Sequence, residues 1–255
     1  YRVAQIMIKM QAMIFAAGLG TRLKPLTDTR PKALVSVAGR TLLEHTVSRL
    51  KKAGAGRIVV NVYHFASQIT GFLEENNNFG LDIRVSDETA ALLDTGGGIK
   101  KAIPLFLPSL PILIHNVDIL SNVDLGAFYA GNMANEATLL VSGRVTTRYL
   151  LFDDDMRLVG WTNTATGEVR SPYGGDVVCR AHRYAFSGIH MLSPRLFPLF
   201  SEFPDKFGII DFYLGVCDKV EIKGFFMDDL ELMDVGKIET LGEAENFALT
   251  IDKTV

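Results

Sequence analysis

The chain has 255 residues, 48% of them hydrophobic and 22% charged, the composition of one ordinary globular domain or of one domain with a long elaboration. Its 26 basic and 29 acidic side chains leave a net charge of −3, which excludes a broad nucleic-acid or membrane-binding surface. Two cysteines, Cys179 and Cys217, exclude a disulfide framework and fit a reducing compartment, with the cytoplasm as the expected location. An anionic ligand must therefore be met by a local cluster of cations.

Residues 6–17 are apolar, but Lys9 and Gln11 interrupt them, and the run is too short to span a bilayer. Met10 fits a natural start, so residues 1–9 are expected to be a tail or an extension of the first strand, and a single domain is expected over 10–250. Residues 11–16 form a short apolar run stopping at glycines, which predicts a buried strand. A long loop with Pro25 and Pro31 follows. Over 41–53, Leu42, Leu43, Thr46, Val47, Leu50 and Ala53 make the stripe of an amphipathic helix that ends at Gly54. The pattern then predicts a strand over 57–62, a helix over 65–75, a strand over 81–86, a helix over 96–102 and a strand over 111–115. This alternation predicts an α/β fold: a Rossmann-like, mostly parallel sheet flanked by helices. Ligands bind such sheets beyond the carboxyl ends of the strands, so the residues after Ala16, Ser86 and His115 matter most.

Beyond Asp118 the texture changes. Strands are expected over 137–142, 149–152, 158–161 and 184–191, with hairpin-type connections and a turn at 153–155. They predict an antiparallel addition over a second substrate. Helices are expected over 193–200, 209–219 and 236–249. The domain accordingly divides into a nucleotide-binding half (10–136), an acceptor-binding half (137–235) and a closing helix (236–250).

Gly18-Leu19-Gly20-Thr21-Arg22-Leu23 directly follows the first strand. Glycines there let backbone N–H groups approach a phosphate without a Cβ in the way, with Ala17, Gly18, Gly20 and Thr21 as the candidate cradle. Arg22 supplies a permanent forked donor set suited to phosphate oxygens. Lys32 follows the rigid Pro31 and is presented from a fixed loop, near Lys24 and Arg30. Asp118, in His115-Asn116-Val117-Asp118, ends the strand where a carboxylate would meet the crevice.

The string G-T-R-L, then P-L-T (Pro25 to Thr27), then P-K (Pro31-Lys32) resembles the signature of the sugar-1-phosphate nucleotidylyltransferases. That resemblance implies a GT-A-like nucleotidyltransferase fold with the antiparallel part binding sugar. It implies that Arg22 contacts the triphosphate, Lys32 neutralises charge near the transferred phosphate, and Asp118 and Asp234 (of Asp234-Val235-Gly236) hold Mg2+. The segment Leu93-Asp94-Thr95-Gly96-Gly97-Gly98-Ile99 resembles that of N-acetylmuramate-1-phosphate uridylyltransferases, with Glu88, Thr95, Gly96, Gly97 and Asn116 expected near the nucleotide. Ala185-Phe186-Ser187-Gly188-Ile189 resembles their strand near the sugar, with Ser187, Gly188 and Arg148 as candidate sugar contacts. Many relatives carry an E-K-P lysine for the sugar phosphate; here 143–148 reads G-R-V-T-T-R, leaving Arg144 or Arg148 in its place, or a surface strand with two arginines.

The implied reaction is in-line transfer of a nucleoside monophosphate from an NTP, UTP or GTP favoured, onto a sugar 1-phosphate with release of pyrophosphate. A phosphocholine cytidylyltransferase and a non-catalytic regulatory subunit of the same fold are the alternatives. A dinucleotide-binding enzyme needs glycine where Leu23 stands, and the nearest acidic residue, Glu44, lies inside a helix. A glycosyltransferase, suggested by Asn116-x-Asp118, leaves Arg22 and Lys32 unexplained. The histidines at 45, 64, 115, 182 and 190 have no zinc-ligand spacing, and Cys179 with His182 is too little for a zinc site.

Overall fold

The computed structural model describes residues 9–254, so all but the last residue of the expected tail lies outside the described residues. The first half alternates as its periodicity predicts. β1 (Gln11–Phe15) leads through a loop into a small hairpin, β2 (Ser36–Val37) and β3 (Arg40–Thr41). Then come α1 (Leu42–Lys52), β4 (Arg57–Val62), α2 (Ala66–Glu75), β5 (Asp82–Asp87), α3 (Asp94–Ala102) and β6 (Ile112–Asn116). The helix α1 starts at residue 42 because the Thr41 hydroxyl caps it, accepting from the Glu44 N–H. β1 pairs in parallel with β4 and with β6, and β4 with β5, so their carboxyl ends share one edge.

The second half holds β7 (Ile119–Ser121), α4 (Leu125–Asn132), β8 (Ala137–Ser142), β9 (Arg148–Phe152), β10 (Leu158–Asn163), β11 (Glu168–Arg170) and α5 (Gly175–Arg180). It continues with β12 (His182–Leu192), α6 (Ile209–Val216), β13 (Ile222–Phe226), β14 (Leu232–Asp234) and α7 (Leu241–Thr254). The expected antiparallel addition is present in β9, β10 and β11, which pair antiparallel beside the first part of β12. β8 differs from the hairpin expectation. It lies between β12, antiparallel, and β13, parallel, and is buried on both faces. A strand covered on both sides reads as a continuous apolar run, which carries no mark of its neighbours' direction. Since β12 is antiparallel to both β6 and β8, β8 runs the same way as β6. Its carboxyl end therefore joins those of β1, β4 and β6 on the ligand-binding edge.

The expected boundary at 136/137 falls between α4 and β8, inside one ten-stranded sheet. Side chains alternate across it. Ala12, Ile14, Ile58 and Val60 pack with Leu43, Val47 and Leu50 of α1 and Ala244 and Ala248 of α7. Met13 and Val59 face Ile99 and Phe212 on the other side. The closing helix begins at Leu241 rather than at residue 236; Gly236 belongs to the loop that reaches the site.

Candidate active site

Asp118 and Asp234 are far apart in sequence and are brought together by a two-stranded pairing. β14 runs antiparallel to β7 with Asp234 opposite Ile119, and the Val235 N–H donates to the Asp118 carbonyl at 2.8 Å. Lys32, only 7% exposed, sits on a short 3-10 turn behind Pro31. Its ammonium contacts the Asp118 carboxylate and lies 3.9 Å from Asp234. Arg22 completes the cluster: a Cβ built on Gly236 would stand 3.1 Å from the Arg22 guanidinium and 2.8 Å from the Asp234 carboxylate. Glycine at 236 thus lets the arginine approach the acid. Burial and then the neighbouring Asp118 push the Asp234 carboxyl above its usual range, opposed by Lys32, Arg22 and Arg144.

The glycine loop is fixed from beneath. Gly20 adopts φ +64°, and a Cβ there would meet Thr27 Cγ2 at 2.9 Å and Lys32 Cβ at 3.0 Å. Gly18 has open space around it. Asn61, in the last part of β4, accepts from the Ala16 and Ala17 N–H groups at 2.7 and 3.3 Å. Its amide donates to Glu88 Oε1 at 2.7 Å, and Glu88 Oε2 accepts from the Leu93 N–H at 3.2 Å. Glu88 is fully buried, and burial raises its carboxyl pKa.

A cavity of about 380 Å³ opens over these groups, lined among others by Ala17, Gly18, Lys32, Glu88, Thr95, Asn116 and Asp118. Arg22, Gly20 and Thr21 follow in the adjoining turn. Thr95 lines the cavity while its hydroxyl accepts from the Ile209 N–H at 2.9 Å. Gly96 and Gly97 lie off the lining. Both donate to the Phe207 carbonyl, and a Cβ would meet the Phe207 ring at 2.3 Å or the Asp205 carbonyl at 2.1 Å. Their lack of side chains admits the 205–208 segment against α3. Gly188, at φ +78°, forms a bulge in β12 and abuts the Asn116 amide; a Cβ would fall 2.6 Å from Asn116 Nδ2. The Ser187 hydroxyl is buried and accepts from the Ile189 N–H at 3.1 Å. Arg148 is exposed at the start of β9, across from Asn163.

Sequence reasoning missed Asn61, whose signal was a single amide near the end of a β-branched run at the ligand-binding edge. It chose Arg148 as the sugar-side arginine, whereas Arg148 begins β9 in the hairpin with β10 and it is Arg144 that bonds the Phe186 carbonyl beside Ser187 and Gly188. Among the described residues there is no cluster of three or more His, Cys, Asp or Glu side chains placed to hold a metal, and no helix is long and apolar enough to cross a membrane.

The mixed sheet, the glycine loop and the lysine-bridged acid pair define an α/β fold of the GT-A-like nucleotidyltransferase class. The chain belongs to the nucleotidyl transferase family, whose profile matches residues 11–148. It is 48% identical over 109 residues to the N-acetylmuramate alpha-1-phosphate uridylyltransferase of Caulobacter vibrioides, a match covering 42% of this chain and 45% of that protein. To the enzyme of the same name from Neisseria meningitidis serogroup B it is 44% identical over 120 residues, covering 47% and 52%. Each match thus spans about half the length of the curated relative. The solved inositol-1-phosphate CTP transferase from T. maritima superposes with a TM-score of 0.75 at 16% identity, over 96% of this chain and 97% of the other. That likeness concerns the fold, and the family assignment bears out the resemblance read from the motifs.

Proposed function

We propose that the chain transfers a nucleoside monophosphate from an NTP to a sugar 1-phosphate and releases pyrophosphate. The observation that carries this reading is the Lys32 ammonium set between Asp118 and Asp234, with Arg22 beside Asp234, while Lys32 and Asp118 line one cavity with the glycine loop. Bringing two anions together demands charge screening above all, and this cluster of cations and acids is built for it. The N–H groups of the Gly18–Gly20 loop and the Arg22 guanidinium would hold the β- and γ-phosphates, which leave as pyrophosphate. Lys32 would neutralise charge at the reacting phosphorus. The acceptor phosphate needs no general base, because a monoester with a second pKa of about 6 is mostly dianionic at neutral pH. The buried histidines supply no such base: His115 and His190 do not line the cavity, and burial pushes their pKa values down to about 4 and about 3, which leaves them weakly basic.

Magnesium is the cation the site suits. Two carboxylates with solvent access satisfy a hard ion that keeps waters and takes further oxygens from phosphates, and repulsion between Asp118 and Asp234 favours a divalent ion. Bound there, it would supply charge neutralisation and orientation of phosphate oxygens. UTP is the first donor to test, given the names of the two relatives described above, with GTP next.

The deciding assay is magnesium-dependent pyrophosphate release with each of the four NTPs. Acceptors are N-acetylmuramate 1-phosphate, glucose 1-phosphate, mannose 1-phosphate and phosphocholine. Release with a sugar 1-phosphate is the expected result; absence of release with every pair sinks the reading.

A further inference from the structure

We infer that Arg144 is the receptor for the acceptor's phosphate, an inference that rests on the transfer reaction proposed above. β8 ends at Ser142 on the same sheet edge as the carboxyl ends of β1 and β6, and Gly143 and Arg144 follow directly. One Nη of Arg144 donates to the Phe186 carbonyl at 3.0 Å, which pins the guanidinium beside the bulge at Ser187–Gly188. That bulge abuts Asn116 at the end of β6. The side chain is otherwise exposed, so most of its five-donor fork remains open to an incoming anion.

The other cations of the cluster are already committed. Lys32 is buried against Asp118, and Arg22 lies at Gly236 on the glycine-loop side. Arg144 reaches the cavity side of the sheet through that bulge, because Asn116, which Gly188 abuts, lines the cavity together with Lys32 and Asp118. Arg148 has no such placement, since it begins β9 in the hairpin with β10. A planar fork bonded at one nitrogen offers paired donors to phosphate oxygens and little to a neutral sugar.

Arg144→Ala and Arg144→Lys are compared with the wild type in the pyrophosphate-release assay, using whichever of the named sugar 1-phosphates the wild type accepts. Arg144→Ala is expected to raise the acceptor KM by about 10- to 100-fold, the worth of one or two charge-assisted hydrogen bonds. The NTP KM stays within about twofold, and lysine restores part of the loss because it keeps the charge without the fork. Inorganic phosphate, a competitor for the acceptor in the wild type, loses its potency in Arg144→Ala. An unchanged acceptor KM in a folded Arg144→Ala, or the same rise appearing in Arg148→Ala instead, overturns the assignment. A wild type that releases no pyrophosphate with any pair refutes the transfer reaction itself, a separate outcome.

Discussion

The Lys32 ammonium rests against the Asp118 carboxylate and lies 3.9 Å from that of Asp234. The lysine therefore acts as an internal counter-ion, and a divalent cation held by both acids, as proposed above, would compete with its charge. At such separations one unit-charge interaction is worth about 1 kcal/mol in bulk water and about 4 kcal/mol at surface-like dielectric. Lys32→Met should consequently bind magnesium more tightly than the wild type while turning over at least about 100-fold more slowly. Calorimetric titration with magnesium chloride and steady-state kinetics measure the two effects. Weaker magnesium binding in this variant would show that the ion does not compete with the lysine's charge.

Asp118→Asn keeps the shape of the side chain and an oxygen for Lys32, so the fold should persist. Its chemistry should not: loss of one of two acids at the centre is expected to lower kcat by about 100- to 1000-fold. Unchanged melting with collapsed pyrophosphate release is the expected pair of results. Full activity with magnesium would remove Asp118 from the site.

How much of this was visible beforehand follows from how each residue declares itself. Arg22, Lys32 and Asp118 stand in compact motifs after strand ends, and the topology rule points straight at them. Asp234 was legible from family register alone, because the strands that deliver it, β7 and β14, have three residues each and no periodicity to read. β13 was missed because only Ile222 of its five residues is fully buried and Gly224 interrupts it. α4 was missed because apolar residues surround it without a polar face. The triple glycine was ambiguous in the sequence: close packing and ligand approach both demand the missing Cβ, and only coordinates separate them.

That separation is itself testable. A Cβ at Gly97 would collide with the Asp205 carbonyl, a backbone atom that cannot rotate away, so Gly97→Ala should cost about 1–3 kcal/mol of stability. Gly18→Ala meets nothing within 4 Å and should melt like the wild type. It should nonetheless raise the NTP KM, because the added methyl stands where phosphate oxygens approach the loop. Thermal denaturation beside NTP kinetics distinguishes the two roles; a stable Gly97→Ala would refute the packing account of α3.

Acid should weaken the fold through two histidines. His190 packs against Phe186 and shares a 2.6 Å hydrogen bond with the Tyr213 hydroxyl, while His115 Nδ1 bonds the Asn116 carbonyl at 2.7 Å. Burial, joined at His115 by the charge of Arg49, lowers their pKa values to about 3 and about 4, against 6.5 for the unperturbed ring. The unfolded chain then binds more protons than the folded one between these limits. The stabilisation is complete above pH 6.5 and is lost as the pH falls toward 4 and then 3. At pH 5 each histidine accounts for up to about 2 kcal/mol of that loss. The raised pKa of Glu88 works oppositely, since its protonation on acidification favours the folded state, so the net slope is shallower than the histidines alone would give. His190→Gln should be less stable than the wild type at neutral pH, because Tyr213 loses its ring partner. It should also lose about 2 kcal/mol less between pH 7 and pH 5. Urea denaturation of both proteins at the two pH values measures the difference, and an equal acid sensitivity would mean that His190 is not held neutral by burial.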